Sequence, residues 1–140
     1  MKFNPDTVHE ILREYQEASL RLRELGGLSH SELIKDPHKI ASAKYHFIIV
    51  IEAAIDLCNH LIAKNNLRVP EDYADTFKVM AENDMLPADF VNTLKKMAGF
   101  RNRLVHRYWD IDTEQLHSIL TEYLGDLDRF LTEIHSGMAN

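Results

Sequence analysis

The sequence predicts an all-α fold, a single-domain bundle of about five helices over residues 1–140. Apolar residues recur at three- and four-residue steps through most of the chain. Two candidate helix starts pair a capping residue with a following proline. No segment alternates polar with apolar side chains as a half-buried strand would. Apolar residues make up 45% of the 140, which is enough for a core of its own.

The first helix opens at Asn4-Pro5, where Phe3 and Val8 have the spacing of a hydrophobic staple. Val8, Ile11, Leu12, Tyr15, Ser19, Leu22 and Leu25 then trace one face, and Gly26-Gly27 ends it. The second helix starts at Asp36-Pro37 and runs to about Lys64. Its middle, "YHFIIVIEAAIDLCNHLI", is apolar nearly all round, so it is either central to the fold or covered by a partner subunit. A shorter third helix, over about residues 71–83, carries Tyr73, Phe77 and Met80 on one side. Pro87 opens the fourth, and Asp112 with Gln115 caps the fifth. The fifth helix continues as one stripe through Leu116, Ile119, Leu120, Tyr123, Leu127, Phe130, Leu131 and Ile134.

The formal net charge is −6, yet the charge is unevenly placed. Lys95, Lys96, Arg101, Arg103 and Arg107 fall between Phe90 and Trp109, a segment with none of the 22 acids. A local positive face on an acidic body is compatible with a polyanion such as RNA, and equally with a solvated helix face. The N-terminal "MKFNPDTVHE" lacks the apolar core of a signal peptide, and no run of about 18 apolar residues exists. A cytoplasmic protein with no membrane partner is expected. Cys58 stands alone, so no internal disulfide forms, and it should pack as a small apolar residue. His9, His30, His38 and His46 lack the paired spacing of a zinc site, so neither a metal nor a cofactor is expected.

The fourth helix holds the anomaly. Phe90, Leu94, Met97, Leu104 and Tyr108 form a stripe in which position 101 should be apolar, and the residue is Arg101. Burying an unpaired charge costs several kcal/mol. Arg101 therefore snorkels to the surface, pairs with an internal carboxylate, or faces an anionic ligand. His106, five residues on, lies about 140° round a continuous helix, whereas Tyr108 returns to within about 20° of Arg101. The three converge if the helix distorts near its end or if a second copy supplies part of the site. The residue types suit RNA cleavage by the 2′-hydroxyl: a histidine moves protons near neutrality, and a guanidinium bonds two phosphate oxygens. On the second helix Glu52, Asp56 and His60 stand side by side at four-residue steps. Asp56 or Glu52 would line the cleft and orient Arg101 or His106, with Asp56 favoured because it sits deepest in the apolar run; a solvated edge or a structural ion pair is the alternative. Trp109 is expected to pack where the fourth and fifth helices meet, with base stacking as the other role.

Arg101, Asn102, three residues and His106 resemble the R-N-x-x-x-H motif of HEPN-domain ribonucleases. With Tyr108 the pattern becomes R-x-x-x-x-H-x-Y, similar to the HepT branch, the toxins of the MntA–HepT toxin–antitoxin systems. The helix bearing "IEAAIDLCNHLIAKN" is also similar to that branch. The resemblance implies a symmetric homodimer with facing motifs and a metal-independent endoribonuclease acting on cellular tRNA or mRNA. It further implies Arg101 and His106 as the catalytic pair, with Asn102 orienting them. Lys95, Lys96, Arg103 and Arg107 would then hold RNA. The implied antitoxin is a nucleotidyltransferase that transfers AMP to Tyr108, adding bulk and negative charge that would repel RNA. The alternative is a non-catalytic helical module that binds RNA or nucleotide, or assembles with a nucleotidyltransferase.

Overall fold

A computed structural model describes residues 1–139, and among them every regular element is helical. The order is α1 (Pro5–Gly26), α2 (His30–Ile34), α3 (Pro37–Lys64), α4 (Tyr73–Glu82), α5 (Val91–His106), α6 (Thr113–Glu122) and α7 (Leu124–Met138). One-turn 3₁₀ segments at Ala88–Phe90 and Tyr108–Asp110 flank α5.

Local chemistry sets the helix starts. The Asn4 side chain accepts from the Asp6 and Thr7 amides, and Asp36 accepts from those of His38 and Lys39. Each cap leaves a proline at the first helical position, where its missing N–H is not needed. At Ser29 the hydroxyl accepts from the Glu32 amide while Glu32 accepts from the Ser29 amide, a reciprocal capping box that nucleates α2. Sequence periodicity missed this helix because five residues are too few to show a repeat.

The long α3 lies at the centre, with α1 packed along it and α2, α4, α5 and α6 around it. Its residues Ala43, Val50, Ala54, Cys58 and Leu61 have no exposed surface. By length and composition α3 is apolar enough to cross a bilayer, and here its apolar residues build the bundle core. Phe130 of α7 packs on Tyr15 and Phe77, with ring centroids 5.5 and 6.4 Å apart, joining three helices. The Tyr15 hydroxyl donates to the Leu127 carbonyl over 2.8 Å, and burial pushes its pKa far above that of a free phenol.

The expected fifth helix is two helices. The chain breaks at Tyr123, which is exposed rather than part of the stripe; both halves touch α1, but α6 also packs on α2 and α7 reaches α4 through Phe130 and Phe77. The α6 end meets α1 so closely that a side chain on Gly26 would run into the Leu120 carbonyl. Gly125, just past the break, is a poor helix former and lowers the cost of the bend. At the other end of α7, Gly137 lies against the Met85 backbone with no room for a Cβ.

Candidate active site

Arg101 lies on the face of α5 turned toward α3 and α4. Its Nε and Nη2 donate to Glu52 Oε1 over 3.0 and 2.7 Å, and Nη1 donates to Asn102 Oδ1 over 3.1 Å. The guanidinium carbon lies 4.9 Å from the centre of the Tyr73 ring, at the first turn of α4. With 14% of its side chain exposed, the arginine is held on three sides. Of the roles open to a cation on an apolar stripe, pairing with a carboxylate is the one the fold adopts. Three protein bonds leave one N–H on each terminal nitrogen for a further acceptor, the geometry that suits two oxygens of one phosphate.

The carboxylate against Arg101 is Glu52, not the favoured Asp56. One further helical turn carries Asp56 past the guanidinium, and its side chain reaches solvent. Desolvation, then the Glu52 and Glu14 carboxylates, push its pKa above the ordinary range, with Arg101 pulling the other way. His60, the third residue of that row, accepts from the Asn4 amide over 3.0 Å and so fastens the start of α1 to α3.

The helix stops at His106. Arg107 leaves helical geometry with φ −139° and ψ 47°, and its amide donates to the Arg103 carbonyl over 2.7 Å. His106 is exposed at this end, and its imidazole makes no hydrogen bond to any described residue. Tyr108 lies on the 3₁₀ turn beyond the break rather than on the Arg101 face of a continuous helix. Its ring packs against Lys44 of α3, whose Nζ lies 4.2 Å from the ring centre and donates to the Tyr108 carbonyl over 3.2 Å.

The other bases are not gathered into one face. Arg103 Nη2 donates to Gln115 of α6 over 3.3 Å, and Arg107 pairs with Asp110 on its own turn. Lys95 is half-buried. Lys96 lines a separate cleft of about 240 Å³ with Phe47, Met97, Phe100 and Asp126. Trp109 is 78% exposed instead of packed between helices. Cys58 is buried, and burial pushes its thiol pKa well up, so it is inert.

Sequence reasoning did not single out Lys44 or assign Tyr73 to the site. Lys44 carries the same signal that exposed Arg101, a lone base within an apolar helix: no other Lys or Arg occurs between Lys39 and Lys64. Tyr73 had no such signal, because an aromatic on a helical stripe reads as core.

The site thus joins a largely shielded arginine and a histidine with a free imidazole on one helix, with a tyrosine two residues beyond. A family model described as ribonuclease HepT-like matches residues 7–134. The chain belongs to the HepT-like family. Among curated relatives, the mRNA nuclease HepT of Shewanella oneidensis is 31% identical over 83 residues, 59% of this chain and 62% of that protein. A putative RNase of Archaeoglobus fulgidus is 30% identical over 103 residues, 74% of this chain and 77% of that one. The chain therefore spans about three fifths of the length of the first of these relatives. The tri-AMPylated Shewanella oneidensis HEPN toxin, solved in complex with MNT antitoxin, superposes with a TM-score of 0.84. The superposition covers 94% of this chain and 98% of that toxin at 24% identity, a likeness of fold. The all-α HEPN-like bundle of the HepT toxins is thus the architecture of this chain.

Proposed function

We propose that this protein is the ribonuclease toxin of a toxin–antitoxin pair, cleaving cellular RNA without a metal. The observation that supports it most is the state of Arg101. It is shielded and fixed by Glu52, Asn102 and Tyr73, and it keeps two N–H groups for one phosphate, five residues before an exposed histidine.

The reaction follows from what the two groups do. His106 accepts the proton of the ribose 2′-hydroxyl as that oxygen attacks the adjacent phosphorus. Arg101 bonds the non-bridging oxygens while charge builds on them. The 5′-oxygen leaves and takes a proton, giving a 2′,3′-cyclic phosphate and a free 5′-hydroxyl. Five residues of helix separate Arg101 and His106 by about 7.5 Å along the axis and about 140° around it. A cleft between two copies of the chain brings an arginine of one and a histidine of the other onto one phosphodiester, so the active form is a symmetric homodimer. Asn102 is the residue that steadies Arg101. Lys95, Lys96, Arg103 and Arg107 are the RNA-holding bases of this reading; they add positive potential from more than one side, Lys96 from a separate cleft and Arg103 and Arg107 while tied to Gln115 and Asp110.

Tyr108 is the regulatory residue, exposed directly beyond His106. An MntA-like nucleotidyltransferase would place AMP on its hydroxyl, and the added phosphate charge and bulk would close the cleft to RNA. The relative named a tri-AMPylated toxin motivates this reading. The test is cleavage of labelled tRNA and mRNA in EDTA by the unmodified protein beside Arg101→Ala and His106→Ala. Cleavage by the parent alone, with cyclic phosphate ends, is the expected result. Salt-sensitive RNA binding with no cleavage by unmodified parent would replace the nuclease with a binding module.

A further inference from the structure

The contact between α3 and the end of α5 is fastened at two points. Glu52 holds Arg101 and Lys44 holds Tyr108, so the two segments run antiparallel. The eight helical steps from Lys44 to Glu52 set the fastenings about 12 Å apart along α3. His106 and the helix break at Arg107 fall between them in the chain.

Lys44 is the stranger of the two. The residue is 7% exposed, and no described carboxylate comes within ion-pair distance of its ammonium. A buried lysine without a counter-charge is costly to the fold. Methionine at this position would fill much the same volume with no desolvation cost. What the ammonium obtains is one hydrogen bond to the Tyr108 carbonyl and the face of the Tyr108 ring. Both contacts are to the residue that regulation would modify, and both act on a turn with few other ties. Within that turn the Asp110 amide donates to the Arg107 carbonyl over 2.8 Å, and Arg107 pairs with Asp110.

We propose that Lys44 is a positioning residue for Tyr108. It pins the 3₁₀ turn to α3 through carbonyl and ring together, and so presents the tyrosine hydroxyl in one orientation for nucleotidyl transfer. This rests on the reading that Tyr108 accepts AMP. Lys44 itself takes no part in the transfer, in which the tyrosine oxygen bonds to the α-phosphorus of ATP, pyrophosphate leaves, and the phenolic proton goes to base.

The test compares wild type, Lys44→Met and Lys44→Arg in the full chain. Hydrogen exchange of the Arg107 and Asp110 amides reports the turn alone. AMP transfer to Tyr108, followed by intact mass with ATP and the cognate nucleotidyltransferase, reports the function. In Lys44→Met, amide exchange should quicken about tenfold and transfer should slow about tenfold, as expected for a misplaced reacting group. Its melting temperature should hold or rise. Lys44→Arg should recover part of the transfer rate, because it keeps the charge. Unchanged exchange in Lys44→Met overturns the proposal whatever the enzyme does. Quickened exchange with an unchanged transfer rate overturns its functional half. If wild type takes no AMP at Tyr108, the modification reading fails instead, and the exchange result still decides whether Lys44 pins the turn.

Discussion

Replacing Glu52 with alanine removes the acceptor of two of the three hydrogen bonds on Arg101 and leaves its guanidinium partly buried beside Tyr73. A hydrogen bond to a charged group contributes about 1.5–3 kcal/mol, and breaking a fully buried ion pair costs about 3–5 kcal/mol. This pair is not fully buried, because the Glu52 side chain is 37% exposed against 14% for Arg101. Water therefore replaces part of what the carboxylate supplied, and Glu52→Ala should cost about 2 kcal/mol. An unfolding entropy of about 2.1 cal/mol/K per residue, over 140 residues, makes that a fall of about 7 °C in Tm. Arg101→Met should cost less, since the exposed Glu52 carboxylate can rehydrate and the methionine continues the apolar stripe. In the double variant the penalties should fall short of additivity by about 1–2 kcal/mol, the mark of a direct contact. The assay is thermal unfolding of the four proteins at one pH and salt. A Glu52→Ala melt within about 2 °C of wild type, or penalties additive to about 0.5 kcal/mol, would refute the claim that Glu52 holds Arg101 in place.

Three further outcomes follow from the fold. Tyr15→Phe deletes the hydroxyl that donates to the Leu127 carbonyl in the core and should cost about 0.5–1.5 kcal/mol in urea unfolding with no change in the m-value. Gly137→Ala forces a Cβ onto the Met85 backbone and should cost about 1–3 kcal/mol or more, whereas Gly99→Ala, with open space around it, should be neutral or stabilising. His60 accepts from the Asn4 amide, and burial, then the Lys64 charge, lower its pKa below the ordinary value of about 6.5. Its stabilising share is therefore complete above about pH 6.5. It is lost as pH falls below that, because the unfolded chain takes up a proton that folded His60 resists. Unfolding free energies between pH 8 and pH 5 should fall less steeply in His60→Gln than in wild type, and parallel curves would count against the linkage.

The parts of the fold legible in the sequence were those governed by a few adjacent residues or by a long repeat. Asn4-Pro5 and Asp36-Pro37 mark the starts of α1 and α3 because a cap and a proline act within one turn. The composition of the all-round apolar α3 announced that it would be covered, and the structure covers it with the chain's own helices. Periodicity failed where tertiary packing overrides it. The stripe from Leu116 to Ile134 is continuous in sequence, yet beyond their shared neighbour α1 the two halves meet α2 and α4 respectively, and the chain bends at Tyr123. A repeat says which side of a helix is apolar but not whether its partner stays in line.

The site divides the same way. Arg101 stood out because a guanidinium on an apolar stripe is a local contradiction, and the chain resolves it with Glu52. The choice between Glu52 and Asp56 was not local: it depends on how far α5 slides along α3, which no spacing within either helix encodes. That same slide also sets Lys44 under Tyr108. Once Glu52 meets Arg101, the antiparallel run of the two segments carries position 44 to the region of position 108, and the break at Arg107 turns the tyrosine back onto the lysine. The break leaves His106 as the last helical residue, its imidazole exposed and unbonded between the fastened Arg101 and Tyr108. Shifting α5 by one turn along α3 would undo both fastenings together, so the register of this single helix pair sets the geometry of Arg101, His106 and Tyr108 at once.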